Sequence, residues 1–324
     1  MSLKIIQYAP LPADLLARLK EHAEVHRVDR LDVGSDPELG KLLAQADGLI
    51  GVNQNVGPEL LDRAPKLRVA STISVGYDHF DVAGLTRRGV MLMHTPDVLT
   101  ETTADMVFTL ILSIARRATE LNQMVRAGHW TSTIGPEAFG SDVHGKKLGI
   151  LGPGRIGSAV ARRGHAGFSM EILYYSRSPK AQLEQEYRAR RCSLDEILTQ
   201  SDFVCVILPL SADTHKLIGA AELAKMKPEA FLINGGRGPV VDEAALIAAL
   251  QNGTIRGAGL DVYEKEPVPV DSPLLKLANV VTLPHIGSAT HETRYQMARL
   301  AVDNLLGALL ERATVNCVNP EVVS

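Results

Sequence analysis

Short apolar runs, separated by amphipathic stretches, recur along the whole chain. In the first third the runs are KIIQY, DGLIGV, LRVASTIS and VMLMHTP, with helices predicted between them, as at 12–22 and 36–46. The alternation restarts at residue 147 with KLGILG, EILYYS, DFVCVILPL, AFLINGG, RGAGLDVY and NVVTLPHI. Helices are predicted over 155–166, 193–200, 220–226 and 242–251, the last stopped by Asn252-Gly253. Most strand candidates are apolar throughout instead of alternating, the pattern of a parallel sheet covered on both faces. The pattern predicts an α/β protein with two doubly wound domains, each around its own sheet.

Two longer segments organise these series. ETTADMVFTLILSIARRATELNQMVRAG, 101–128, has no proline and has glycine only at its end. It predicts one helix about 40 Å long, capped by Thr100 with Glu101 in its first turn. It would act either as a spine between domains alone or as a spine that also meets a partner subunit. The amphipathic segment 289–311 is left over after the second series and is expected to return to the first domain. The expected division is 1–99 plus 290–324, and 100–289, with two crossings forming a hinge over a cleft.

Composition narrows the class. The chain has 324 residues, a net charge of −3, 45% hydrophobic and 22% charged residues. This is an ordinary globular balance that argues against a broad nucleic-acid or membrane surface. Cys192, Cys205 and Cys317 lie far apart with no C-x-x-C, so neither a disulfide framework nor a zinc site is expected. Cys205, within FVCVIL, reads as a packed core thiol. The start, MSLKIIQYAP, has no signal-peptide pattern, and no apolar run is long enough to span a bilayer, so a cytoplasmic protein is expected.

KLGILGPGRIGSAVA carries Gly152-x-Gly154-x-x-Gly157 directly between a strand and a helix. In that context the motif predicts a dinucleotide site, with the pyrophosphate on the helix N-terminus. Pro153 lacks an N–H, which a loop position facing away from phosphate tolerates. At the end of the next strand such sites usually place a carboxylate for the ribose diol. Here LYYSRSPK places Ser176, Arg177 and Ser178, followed by Lys180. A guanidinium fork between hydroxyls suits a 2′-phosphate, so NADP(H) is expected to be preferred over NAD(H).

Ligands of doubly wound sheets bind beyond the carboxyl ends of the strands. INGGRG places Arg237 there, GLDVYEKEP places Asp261 and Glu266, and LPHIG places His285. Hydride delivery to a ketone creates negative charge on oxygen that an imidazolium can protonate, with a carboxylate fixing its tautomer. Arg237 can hold a carboxylate beside the carbonyl. The set suits a 2-oxo acid. His22, His26, His79, His129, His144, His165 and His215 show no charged partner, and no histidine pair has metal-ligand spacing, so no metal is expected. No G-x-S-x-G elbow occurs. Val75 and Gly76, in STISVGYDHFD, form either a plain turn or a carboxylate-binding one.

GPGRIG, INGGRG, GLDVYEKEP and PHIGSATHETR, with HTPDVLTETTADM, SVGYD and DSPLL, resemble the D-isomer-specific 2-hydroxyacid dehydrogenases over nearly the whole chain. STISVGYD, QSDFVCVILPL, HIGSATHETRY and NCVNP point to the branch acting on glyoxylate, hydroxypyruvate and 2-keto-D-gluconate. The resemblance implies a flavodoxin-like substrate domain, a Rossmann-like NAD(P)-binding domain and a homodimer through the cofactor domain and long helix. It implies Arg237 as substrate ligand, Glu266 as the histidine's partner, His285 as proton donor, and Val75 and Gly76 as backbone ligands of the substrate carboxylate. Thr103, Gly152, Gly154, Arg155, Ile156, Gly157, Ser176, Arg177, Ser178, Leu208, Pro209, Gly235, Gly236, Arg237, Asp261, His285 and Gly287 are implied as the cofactor lining. A nicotinamide-sensing co-repressor scaffold is the rival of another class. Phosphoglycerate and formate dehydrogenases are rivals within the enzymes.

Overall fold

A computed structural model describes residues 2–34 and 37–323. The chain divides into two compact units: residues up to Leu99 together with those from Ala289 on, and Thr100–Ser288.

The first unit holds strands β1 (Leu3–Gln7), β2 (Ala23–Arg27), β3 (Gly48–Gly51), β4 (Val69–Thr72) and β5 (Met91–Met93). They form a wholly parallel sheet in the order β2-β1-β3-β4-β5, the flavodoxin-like order. Ile6, Leu49, Ala70 and Leu92 join Leu39, Leu43, Leu60 and Leu85 from flanking helices in one buried cluster. The helix His291–Glu311 packs on β3, β4 and β5. There Ser71 Oγ donates to Ala301 O at 2.8 Å and Arg68 Nη2 to Leu309 O at 3.0 Å.

The second unit contains β6 (Lys147–Leu151), β7 (Glu171–Tyr175), β8 (Arg190–Arg191), β9 (Phe203–Val206), β10 (Phe231–Asn234), β11 (Gly257–Leu260) and β12 (Val280–Thr282). Their order is β12-β11-β10-β9-β6-β7-β8, again all parallel. This is the Rossmann order with one added strand, and its reversal falls between β6 and β9. The alternation of side chains explains the continuous apolar runs. Ile150, Ile172, Tyr174, Phe203, Cys205 and Ile233 join the core on one face. Leu151, Leu173, Val204, Val206 and Leu232 join the core on the other.

Four sequence expectations need correction. The segment 101–128 is not one helix: Thr100–Ala115 and Ala118–Arg126 are separate, joined at Arg117 with φ +52°. The Arg117 guanidinium bonds Glu120 at 2.9 and 2.6 Å and also reaches Glu137 O, holding the left-handed residue that breaks the run. Thr100 is accordingly the first helical residue and not a cap. The helix expected over 36–46 is observed as Pro37–Leu43, and position 36 lies outside the described residues. Finally, His26 does have a charged neighbour, with Nε2 3.0 Å from Glu24 Oε1 on β2. Among the described residues no helix is long and apolar enough to cross a membrane.

Candidate active site

The turn after β6 lies at the sheet's reversal point. Gly152 has φ +91°, and a side chain there would come within 2.8 Å of Ile207 O and 2.9 Å of Leu208 Cδ2, so only glycine fits. Gly154 is the N-cap of the helix Arg155–Phe168 and supplies no capping side chain. The N–H groups of Ile156 and Gly157 therefore meet no acceptor among the described residues, and a Cβ on Gly154 would touch nothing within 4 Å. This is a cradle open to an anion. The segments after β9 and β10 border it: a side chain at Gly236 would stand 2.8 Å from Leu208 O, and one at Gly235 2.8 Å from Val107 Cγ2. Pro209 is exposed beside them, its carbonyl accepting from Thr214 Oγ1 at 2.6 Å.

Beyond β7, Ser176 Oγ donates to Ser178 O at 2.5 Å, so that hydroxyl proton closes the loop on itself. Arg177 is exposed, with no side-chain partner among the described residues. Sequence reasoning missed Arg191 on β8. Its guanidinium donates to Ser176 O at 3.2 and 3.0 Å and to Arg177 O at 2.7 Å, bracing the loop through its main chain. Tyr174 adds a second brace, accepting from Lys180 N at 2.8 Å and donating to Glu184 at 2.5 Å.

The loops after β10, β11 and β12 carry the chemistry. Buried Asn234 holds the Arg237 loop, donating to Arg237 O at 3.1 Å and accepting from Gly236 N at 3.2 Å. Gly238 lets that loop press on the next, since a Cβ there would stand 1.8 Å from Tyr263 O. Asp261 is 1% exposed, and its carboxylate accepts from Ile286 N at 2.7 Å and Gly287 N at 2.9 Å. Burial raises its pKa against the opposing pull of Ile286 N–H, the His285 charge and Gly287 N–H. These two bonds pin the residues that follow His285, whose φ is +52°. Thr103 lies alongside, its Cγ2 3.2 Å from where a Cβ on Gly287 would stand. Tyr263 ties β11 to β12 through Leu283 O at 2.9 Å, and burial pushes its hydroxyl up to about 12.

His285 Nδ1 lies 2.6 Å from Glu266 Oε2, while Glu266 Oε1 accepts from Tyr263 N at 3.1 Å. Burial works to raise the Glu266 pKa. The His285 hydrogen bond and charge, the Tyr263 N–H and the Arg237 charge together outweigh it, so the carboxyl titrates below its usual range. An ionised Glu266 can only accept, so Nδ1 carries a proton and Nε2 is the atom left for chemistry. Half of the His285 side chain is exposed, leaving that atom reachable by substrate and solvent. In the first unit, Val75 and Gly76 follow β4, and neither N–H has an acceptor among the described residues.

A Rossmann-ordered sheet with an open anion cradle, and with arginine and a histidine–carboxylate pair on neighbouring strand ends, defines a dinucleotide-binding oxidoreductase. Comparison with known proteins narrows the class. Residues 108–287 match the family model "D-isomer specific 2-hydroxyacid dehydrogenase, NAD binding domain". Glyoxylate/hydroxypyruvate reductase B of Shigella boydii is 58% identical over 322 residues, covering 99% of either chain. The crystal structure of a Sinorhizobium meliloti NADPH-dependent glyoxylate/hydroxypyruvate reductase, in complex with NADP and malonate, aligns with TM-score 0.88 at 35% identity. That alignment covers 99% of this chain and 98% of the other. A Thermus thermophilus protein aligns with TM-score 0.88 at 41% identity over 98% of this chain and 100% of its own. The chain belongs to the D-isomer specific 2-hydroxyacid dehydrogenases and is an oxidoreductase.

Proposed function

We propose that this enzyme is an NADPH-preferring reductase of glyoxylate, hydroxypyruvate and 2-keto-D-gluconate, forming D-2-hydroxy acids. One observation carries the chemistry: the 2.6 Å contact that commits His285 Nδ1 to Glu266 and leaves Nε2 for the substrate. The substrates are those named for relatives such as the Shigella boydii protein, extended to the ketogluconate by the sequence motifs.

The residues divide the work. Gly152, Gly154 and Gly157 shape the pyrophosphate cradle, with N–H groups from Arg155, Ile156 and Gly157. Ser176, Arg177 and Ser178 take the 2′-phosphate. Thr103, Leu208, Pro209, Gly235, Gly236, Asp261 and Gly287 complete the cofactor lining. NADPH, when bound, supplies the hydride for the carbonyl carbon. Arg237 holds the substrate carboxylate and polarises the neighbouring carbonyl. We also assign the carboxylate to the N–H groups of Val75 and Gly76 in the first unit. His285 gives the Nε2 proton to the carbonyl oxygen as negative charge grows there, and is reprotonated from solvent. Glu266 holds the ring's orientation and tautomer. The first unit is then the substrate domain and the second the cofactor domain.

We assign the enzyme to the cytoplasm, as a homodimer formed through the second unit. Val125, Trp130, Ile134 and Phe139 are 50, 61, 43 and 54% exposed along the segment that follows Thr100–Ala115, which supports a partner surface there.

Initial rates with each of the three oxo acids, using NADPH and NADH in turn, test the proposal. Higher kcat/KM with NADPH and turnover of all three acids are expected. Turnover of none, or preference for NADH, would overturn it.

A further inference from the structure

We propose that His94 is a positioning residue for the substrate carboxylate: it holds Val75 O and thereby aims the Gly76 N–H. The proposal rests on the assignment of Val75 and Gly76 to that carboxylate.

His94 directly follows β5, and its Nδ1 lies 3.0 Å from Val75 O. A carbonyl oxygen only accepts, so the proton of this bond sits on Nδ1. In a trans peptide the Val75 carbonyl and the Gly76 N–H point in opposite directions across one rigid plane. Fixing the oxygen on the His94 side therefore fixes the N–H on the other.

The neighbouring peptides are held as well. Ser74 O accepts from Thr95 N at 2.9 Å. Gly76 O accepts from Ser74 Oγ at 2.5 Å, and Ser74 Oγ meets Thr72 Oγ1 at 2.8 Å. All three carbonyls of 74–76 thus have donors, whereas the N–H groups of Val75 and Gly76 have no acceptor among the described residues. A turn built for its own sake would not leave its donors as the open side. Here the geometry presents paired donors, as an anion requires.

His94 is itself located by the C-terminal part of the same unit. Its N–H donates to Asn316 O at 3.2 Å, and its O accepts from Asn304 Nδ2 at 2.8 Å. Asn304 Oδ1 in turn accepts from Asn316 Nδ2 at 3.1 Å. The ring meets Tyr77 edge-on, with centroids 5.7 Å apart and planes at 80°. The His94 main chain is thus held on both sides and its ring by Tyr77 and Val75 O, which ties the Val75–Gly76 peptide to that frame.

A positioning role makes a distinct kinetic prediction, because a preorganised donor strengthens ground-state and transition-state binding alike. In the full-length enzyme, His94→Leu removes the donor and keeps most of the volume. We expect its KM for hydroxypyruvate to rise about tenfold while kcat stays within about twofold and the KM for NADPH is unmoved. His94→Asn can place an amide N–H near the position of Nδ1, and should return the KM to within about threefold of the native value.

A hydroxypyruvate KM in His94→Leu equal to the native one would overturn the proposal. So would a joint collapse of kcat, NADPH KM and thermal stability that Asn does not rescue. A second measurement separates the anchor from its brace. In isotope-labelled native enzyme with NADP⁺, added oxalate should shift the Gly76 amide resonance. A silent amide sinks the carboxylate anchor and this proposal with it; a responding amide with an unmoved His94→Leu KM sinks the role of His94 alone.

Discussion

Replacing Glu266 by glutamine isolates the charge of the histidine's partner from its geometry. The glutamine carbonyl can still accept from Nδ1–H at the site of the 2.6 Å bond, while its amide NH2 takes the place of the oxygen that accepted from Tyr263 N. The loss is the difference between a charge-assisted and a neutral hydrogen bond, about 1–1.5 kcal/mol. Glu266 is 34% and His285 50% exposed, so solvent screening trims the effect to the lower part of that range. At about 1.4 kcal/mol per factor of ten in rate, reductive kcat at neutral pH should fall by roughly five- to tenfold. The assay is steady-state NADPH oxidation with hydroxypyruvate across the neutral and alkaline range, with the NADPH KM as a control. An unchanged kcat with normal cofactor binding would refute the idea that the Glu266 charge supports proton delivery by His285. The sign for folding is separate. The folded pKa of Glu266 lies below its unfolded value, so this pair's contribution to stability is present above the usual carboxylate range. It is lost as pH falls through the folded pKa.

Two further outcomes test other parts of the account. Ser176→Asp with Arg177→Ala should shift kcat/KM from NADPH toward NADH by roughly ten- to hundredfold, the worth of one charge-assisted phosphate contact; unchanged selectivity would exclude Arg177 as the 2′-phosphate ligand. Asp202 accepts from Lys147 N and Lys227 Nζ, each at 2.8 Å, tying β6 to β9, and these groups hold its pKa low against burial. Asp202→Ala should cost about 1–3 kcal/mol at neutral pH by calorimetry, a deficit that disappears as pH falls through the depressed Asp202 pKa.

How far the sequence could be read followed from where each residue's partners lie. Interior strands were legible because both faces are covered, which writes Val204-Cys205-Val206 or Leu232-Ile233 as unbroken apolar runs. The charged edge strands β2 and β8 were not, unlike the apolar edges β5 and β12. Ala23–Arg27 and Arg190–Arg191 each pair on one side only and are rich in charge. The break at Arg117 was hidden because neither proline nor glycine marks it; it depends on ion pairing to Glu120 and a reach to Glu137 O. The strand-end set of Arg237, Asp261, Glu266 and His285 could be read because a parallel sheet brings the carboxyl ends of its strands to one face. Arg191 and His94 escaped notice for a shared reason. Each acts on main-chain carbonyls, Ser176 and Arg177 for one and Val75 for the other, and such partners leave no side-chain pattern along the chain.

Proton delivery by His285 is probed by His285→Ala. With NADPH affinity measured independently by fluorescence and found intact, hydroxypyruvate turnover should fall at least about 10²-fold. Turnover within a few-fold of the native enzyme would contradict the account.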